Sequence, residues 1–213
     1  MQILILFTFL GVVSTSRILF LFPTPSKSHM IIAHSLSTTL AERGHEITML
    51  TAFPLDKELQ NHREIVVPFN DMVFKDFMKE LIDNPNSSVL KTLPKVLDIT
   101  IELARVAVKV PEFKRILRDE KFDLIVTGMF FNHFLLGYGE VFKCPTVMLS
   151  VLGSLTATNL LTGNPLSVNA VPSLFISDLK EMNFFHRVKN FLIHGVDLVV
   201  VEFMNYKMKK TYE

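Results

Sequence analysis

An α/β fold built on a parallel sheet is predicted by three observations. Apolar runs of strand length recur at Arg17 to Phe22, His45 to Thr51, Phe122 to Thr127 and Thr146 to Ser150. Such runs suit strands covered on both faces. Segments of helical length and periodicity alternate with them, the order expected of a parallel sheet. The first strand, first helix and second strand also form a unit of the length that a right-handed crossover needs.

Each element has its own signals. The run RILFLF is ended by Pro23 and Pro25. From His29 to Arg43 the residues Ile32, Leu36 and Leu40 recur at the spacing of one helical face, with Ser28 as the expected N-cap and Gly44 as the stop. HEITMLT is the second strand. Helical periodicity returns over Asp71 to Ile82 and Ser88 to Arg118, with breaks expected at Pro85, Pro94 and Pro111. FDLIVT is the next strand, Asn132 to Phe142 a helix, and TVMLS a short strand introduced by Pro145. Gly153, Gly163, Asn164-Pro165 and Pro172 mark Val151 to Pro172 as loop, and Asp178 to Glu213 reads as a long helix with the apolar centre FLIHGVDLVVVEFM. That helix either lies on a membrane face or packs against the sheet, and Asp197 within the run favours packing.

Composition excludes several classes. The 213 residues are 49% hydrophobic and 20% charged, with 22 basic against 21 acidic side chains. This is a chain with a sizeable core and no electrostatic call for nucleic acid. There is no phosphate-loop motif, no C-x-x-C and no H-E-x-x-H. The loop after the first strand, PTPSKS, contains no glycine, which argues against a dinucleotide at that turn. Cys144 is the sole cysteine, so no intrachain disulfide forms. Residues 3–13 are apolar and too short to span a bilayer, and Ser14 and Ser16 fit cleavage before Arg17. A signal peptide over 1–16 and a domain over 17–213 are therefore expected, and the Asn86-Ser87-Ser88 sequon agrees with a secretory route.

In open parallel sheets, ligands bind beyond the carboxyl ends of the strands. That rule selects the loop before His29, the segment after Thr51 and the loop after Thr127. Four stretches follow one another in order: SHMIIAHSLSTTLAERGHEITMLT, FDLIVTGMFFNHFLLGYGEVFKCP, GNPLSVNAVPS and MNFFHRVKNFL. They resemble the family 1 UDP-glycosyltransferases, UDP-glucuronosyltransferase-like and insect-type in character, and the resemblance covers essentially all of the chain.

The resemblance implies a Rossmann-like parallel sheet flanked by helices, the N-terminal, acceptor-binding half of a GT-B fold. The half that binds the UDP-sugar co-substrate, and a membrane anchor, would lie beyond Glu213, so the 213 residues alone are not expected to turn over. The reaction implied is inverting transfer of a hexosyl or glucuronosyl group to a hydroxyl of a small lipophilic acceptor. It would take place in the endoplasmic reticulum, as part of detoxification. No cofactor or metal is implied. His29 takes the place of the family's histidine base, whose ordinary pKa lies near working pH and whose place at a helix N-terminus disfavours its charged form.

The family's partner carboxylate would stand at Gly128, where this chain has none. Asp123 starts the strand and lies too far along it, while Asn132 or His133 would supply a hydrogen bond without charge. His34 and His45 read as structural, and His133, His186 and His194 lack metal-like spacing. An acceptor pocket is expected from Phe74, Phe77, Met72 and Met78, with ordinary core as the other reading. The alternative function is a non-catalytic fragment that binds acceptor, or dimerises with intact family members.

Overall fold

Five strands form one parallel sheet in the order β3-β2-β1-β4-β5, comprising β1 (Arg17–Phe22), β2 (Glu46–Thr51), β3 (His62–Val66), β4 (Leu124–Gly128) and β5 (Thr146–Leu149). The computed structural model describes residues 15–84, 89–130, 132–151, 153, 155–173 and 182–212. The expected signal peptide therefore lies almost wholly outside the described residues, as do Pro85 and the Asn86 sequon. The fold is α/β and Rossmann-like, as expected. Strand β1 is central and its last five residues are buried, because helices cover both faces. One face packs Phe20, Phe22, Met30, Met49 and Val126 together. The other packs Leu19, Leu21, Leu50, Phe113 and Ile125.

Helix α1 (Lys27–Glu42) starts two residues earlier than expected, with Ser26 rather than Ser28 at the N-cap. It ends as expected at Gly44, whose φ of +92° only glycine adopts without strain. Its buried stripe differs from the one the apolar pattern suggested. His29, Met30, Ala33, Ser37 and Ala41 face the sheet, while Ile32 and Leu36 are exposed. Small residues at 33, 37 and 41 let the helix sit close to Phe20 and Met49, and the larger side chains would hold it away.

Strand β3 was absent from the sequence expectations for a physical reason. HREIV contains one fully buried side chain, Ile65, and it forms the edge of the sheet, where polar residues are tolerated. Arg63 binds Glu120 through both terminal nitrogens, at 3.2 and 3.0 Å, and Arg17 binds the same carboxylate at 3.0 Å. Burial alone would raise the Glu120 pKa, but Arg63, Arg17 and Arg115 outweigh it and hold the carboxyl below its ordinary value. Glu120 thus ties β1 and the edge strand to the segment leading into β4. Glu120→Gln is expected to cost about 1.5–3 kcal/mol, the range for hydrogen bonds to charged groups. Urea unfolding should show it as a lower midpoint at unchanged slope.

Helices α2 (Asp71–Asp83), α3 (Val89–Lys109) and α4 (Pro111–Asp119) follow. Pro111 opens α4, as a proline at the first helical position should, but Pro94 does not break α3. One missing N–H near the start of a 21-residue helix is outweighed by the buried stripe Leu97, Ile101, Ala104 and Ala107. A 3₁₀ turn (His133–Gly137) runs into α5 (Tyr138–Phe142). The stretch expected to be loop contains α6 (Thr156–Thr162), a short helix whose three threonines hide its character.

The terminal helix is α7 (Phe184–Tyr212). Asn190, His194, Asp197, Val201, Met204 and Met208 recur along it at intervals of three and four and are all buried. It packs on α3 and α6, and its Val201 joins a cluster with Met129 and Ala157 against which Met148 of β5 packs, so Asp197 marked a packed helix. Among the described residues no helix is long and apolar enough to cross a membrane.

Candidate functional site

All five strands run in parallel, so their carboxyl ends share one rim. Strand order reverses between β1 and β4, which makes their carboxyl ends the topological switch point where such sheets bind ligands. His29 lies in the first turn of α1, on the loop after β1, and Met129 and Phe130 follow β4 directly. The sequence rule therefore placed His29 at the switch point.

His29 is buried, 8% exposed, with its ring edge-on to Phe130 at 4.8 Å between centroids. Phe130 in turn meets Phe74 of α2 at 6.3 Å. The imidazole Nδ1 lies 3.0 Å from Ser26 Oγ and 3.5 Å from Ser28 Oγ, and the two hydroxyls are 2.9 Å apart. The other ring nitrogen, Nε2, is buried and has no hydrogen-bond partner. Burial holds the His29 pKa below its ordinary 6.5, so the ring is neutral at neutral pH and one nitrogen is available as a proton acceptor.

At Gly128 a Cβ would stand 2.5 Å from Cε1 and 2.6 Å from Cδ1 of Phe22, which is fully buried. The Phe22 ring takes up the space in which a carboxylate side chain would begin. Neither suggested substitute contacts His29 through a hydrogen bond. Asn132 Oδ1 accepts from the Phe130 amide at 2.9 Å, and His133 Nε2 bonds Asn205 Oδ1 at 2.8 Å. Asp123 accepts from the Arg17 amide at 2.7 Å, at the far end of the strand. The nearest hydroxyl partner, Ser26, was overlooked because it precedes the histidine by three residues in a proline-bounded loop. Its signal was the serine pair flanking Lys27.

The other histidines hold the scaffold together. His34 Nε2 donates to the Phe53 carbonyl at 2.8 Å and so fastens the loop after β2, while His45 Nδ1 accepts from the Ser16 amide at 3.2 Å. His62 Nε2 meets Ser37 Oγ at 2.9 Å and joins the edge strand to α1.

Two apolar hollows have Phe130 as a neighbour of one lining residue each, Phe74 through its ring and Met129 along the chain. One, of about 330 Å³, is lined by Pro25, Phe53, Phe74 and Met78. Of the residues expected to line a pocket, Phe74 and Met78 do so, Phe77 is core, and Met72 lies exposed away from it. The other, of about 430 Å³, was not foreseen; Met129, Leu166, Val171 and Val201 line it with His194 and Asp197. Asp197 Oδ2 accepts from Thr156 at 3.0 Å and from Ser173 at 2.8 Å. Asn190 donates to the carbonyls of Val168 and Val171 at 2.6 and 2.8 Å. The GNPLSVNAVPS loop is thereby pinned to α7, which explains why those two stretches accompany one another. Both volumes suit a small organic molecule.

The chain is similar over most of its length to known sugar transferases. No family model matches the chain. Over 195 residues it is 29% identical to UDP-glucosyltransferase 2 of Dactylopius coccus, covering 89% of this chain and 37% of that protein. It is 26% identical over 183 residues to an ecdysteroid UDP-glucosyltransferase of Lacanobia oleracea granulosis virus, covering 79% and 38%. With UDP-glucuronosyltransferase 3A1 of Bos taurus the identity is 25%, over 78% of this chain and 33% of that one. The chain spans well under half the length of these relatives. Among solved structures, the C-terminal domain of a Pyrococcus furiosus hydrogenase aligns at a TM-score of 0.34 and 18% identity, over 63% of this chain and 91% of that one. So low a score carries no argument.

Proposed function

We propose that this chain, a sequence relative of the UDP-glycosyltransferases, is the acceptor-binding, N-terminal half of a GT-B enzyme that transfers a sugar from UDP to a lipophilic hydroxyl compound. The observation that carries the reading is the buried, neutral His29 at the sheet's switch point, with Nε2 unpartnered and the ring against Phe130. In this mechanism the acceptor enters at the switch point, turns Phe130 aside and brings its hydroxyl to Nε2. The hydroxyl oxygen attacks the anomeric carbon from the face opposite UDP, which leaves with the bonding electrons and inverts that centre. Nε2 takes the hydroxyl proton as the bond forms.

The UDP-sugar is held mainly by a second half, which the greater length of the relatives supports. The apolar run before Arg17 would direct the protein to the endoplasmic reticulum, and an anchor after the second half would hold it to the membrane. The apolar hollows suit a detoxifying role. A non-catalytic acceptor-binding or dimerising fragment is the second reading. It is favoured by the absence, among the described residues, of a carboxylate hydrogen-bonded to His29. Transcript sequence beyond Glu213, and assay of the encoded protein with a UDP-sugar and a phenol, separates the two. Turnover supports the enzyme, whereas no donor half and no turnover leaves the fragment.

A further inference from the structure

Ser26 occupies the N-cap of α1 with extended backbone, φ −109° and ψ 115°, yet its side chain makes no capping bond to the helix. A serine there ordinarily accepts from an amide of the first turn. Instead its buried hydroxyl lies between His29 Nδ1, at 3.0 Å, and Ser28 Oγ, at 2.9 Å. Ser28 is exposed, so the row His29–Ser26–Ser28 leads from the buried ring to solvent.

The row has two polarities, because Ser26 carries one hydroxyl proton. If that proton points at Nδ1, the ring proton must reside on Nε2, where a buried N–H has no acceptor. If it points at Ser28, Ser26 Oγ accepts from Nδ1–H and Nε2 presents a lone pair. Orphaned buried N–H groups are rarer in proteins than under-satisfied buried acceptors, and the second polarity avoids one. It also extends outward, since Ser28 can donate to water.

We infer that Ser26 is the positioning residue of His29: it holds the Nδ1–H tautomer and takes over the orienting role for which Phe22 leaves no room at Gly128. The inference rests on the functional reading above for its consequence, but its geometry stands apart from it. During transfer the acceptor proton would pass to Nε2, making the ring an imidazolium. The Nδ1 proton stays in place, hydrogen-bonded to Ser26 Oγ, and the Nε2 proton returns to solvent after the product leaves. A hydroxyl orients the ring as a carboxylate does but brings no charge to stabilise the imidazolium.

The test is nitrogen-15 NMR of the histidine rings in the 213-residue chain, which needs no turnover. Wild-type His29 is expected as the Nδ1–H tautomer, with the deprotonated-nitrogen shift on Nε2. Ser26→Ala should move it toward Nε2–H, and Ser26→Thr should keep the wild-type pattern. Ser26→Gly also removes the hydroxyl while retaining a residue that N-caps tolerate, so it answers if the alanine variant fails to fold. An Nε2–H tautomer in wild type, or an unchanged pattern in the hydroxyl-less variants, overturns the inference. The two readings fail separately. If the tautomer behaves as expected but His29→Ala leaves transfer intact in the extended protein, positioning stands and the catalytic reading falls. If the tautomer ignores Ser26 but His29→Ala abolishes transfer, the reverse holds.

Discussion

His29→Ala is expected to lower kcat for sugar transfer by about 10²–10⁴-fold in the protein extended past Glu213, the range that a positioned general base supplies. KM for the acceptor should change far less, because in the proposed function apolar side chains, not the imidazole, supply most of the acceptor's binding surface. His29→Gln restores bulk and hydrogen bonding without basicity, and should be as inactive as alanine. Loss of kcat in alanine with recovery in glutamine would show that His29 positions the acceptor and removes no proton. The pH dependence provides a second measurement. Burial lowers the His29 pKa from 6.5, so the base stays neutral to lower pH than a free imidazole. The acid limb of kcat/KM should therefore lie below pH 6.5.

Stability has its own pH dependence with the same sign. His29, His62 and His133 all have pKa values lowered chiefly by burial. The unfolded chain binds more protons than the folded one wherever pH lies between those lowered values and the ordinary one. Stability is thus complete above pH 6.5 and is lost as pH falls through the folded values. Thermal unfolding at about pH 7.5 and about pH 5.5 should show a lower Tm in acid, with a shallower fall in His29→Gln. Equal slopes in the two proteins would mean that His29 takes up its proton at the same pH folded and unfolded, and that burial does not lower its pKa.

How much of this was legible depended on which residues a pattern constrains. Buried central strands declare themselves, because RILFLF and EITMLT must be apolar on both faces. The edge strand HREIV did not, because one face and one edge meet solvent and only Ile65 must be apolar. Helix α1 was visible but its buried face was misread: close packing selected Ala33, Ser37 and Ala41, and the conspicuous Ile32 and Leu36 turned outward. The candidate base was legible through its place after β1 and through family likeness. Its surroundings were not. The contact between Phe22 and Gly128 joins residues over a hundred positions apart, and the Ser26 hydroxyl became visible only once the helix was seen to begin at Lys27. The larger hollow had a trace in Asp197, a carboxylate within an apolar run, but its walls needed α6, which the sequence had rendered as loop.

Gly128→Asp, which sequence alone would present as a repair, is expected to damage the protein. The new Cβ would lie 2.5 Å from the Phe22 ring, well inside contact distance. Phe22 has little room to retreat, being 1% exposed and packed among Phe20, Met30 and Val126. Overfilling a well-packed core costs about 1–3 kcal/mol, and a buried carboxylate without donors adds to that. A loss of at least about 2 kcal/mol should lower Tm by about 4–8 °C for a domain of this size, with no gain in transfer. Phe22→Leu carries its own cavity cost but removes the obstructing ring atoms, so the aspartate should cost less in that background. A double-mutant cycle by urea unfolding measures this, and a coupling of about 1 kcal/mol or more identifies the ring as the obstacle. Additive costs would place the penalty on the charge instead. If Gly128→Asp alone kept wild-type stability and raised transfer, the ring would have yielded, the carboxylate would have reached His29, and Ser26 would be a substitute that the acid outperforms.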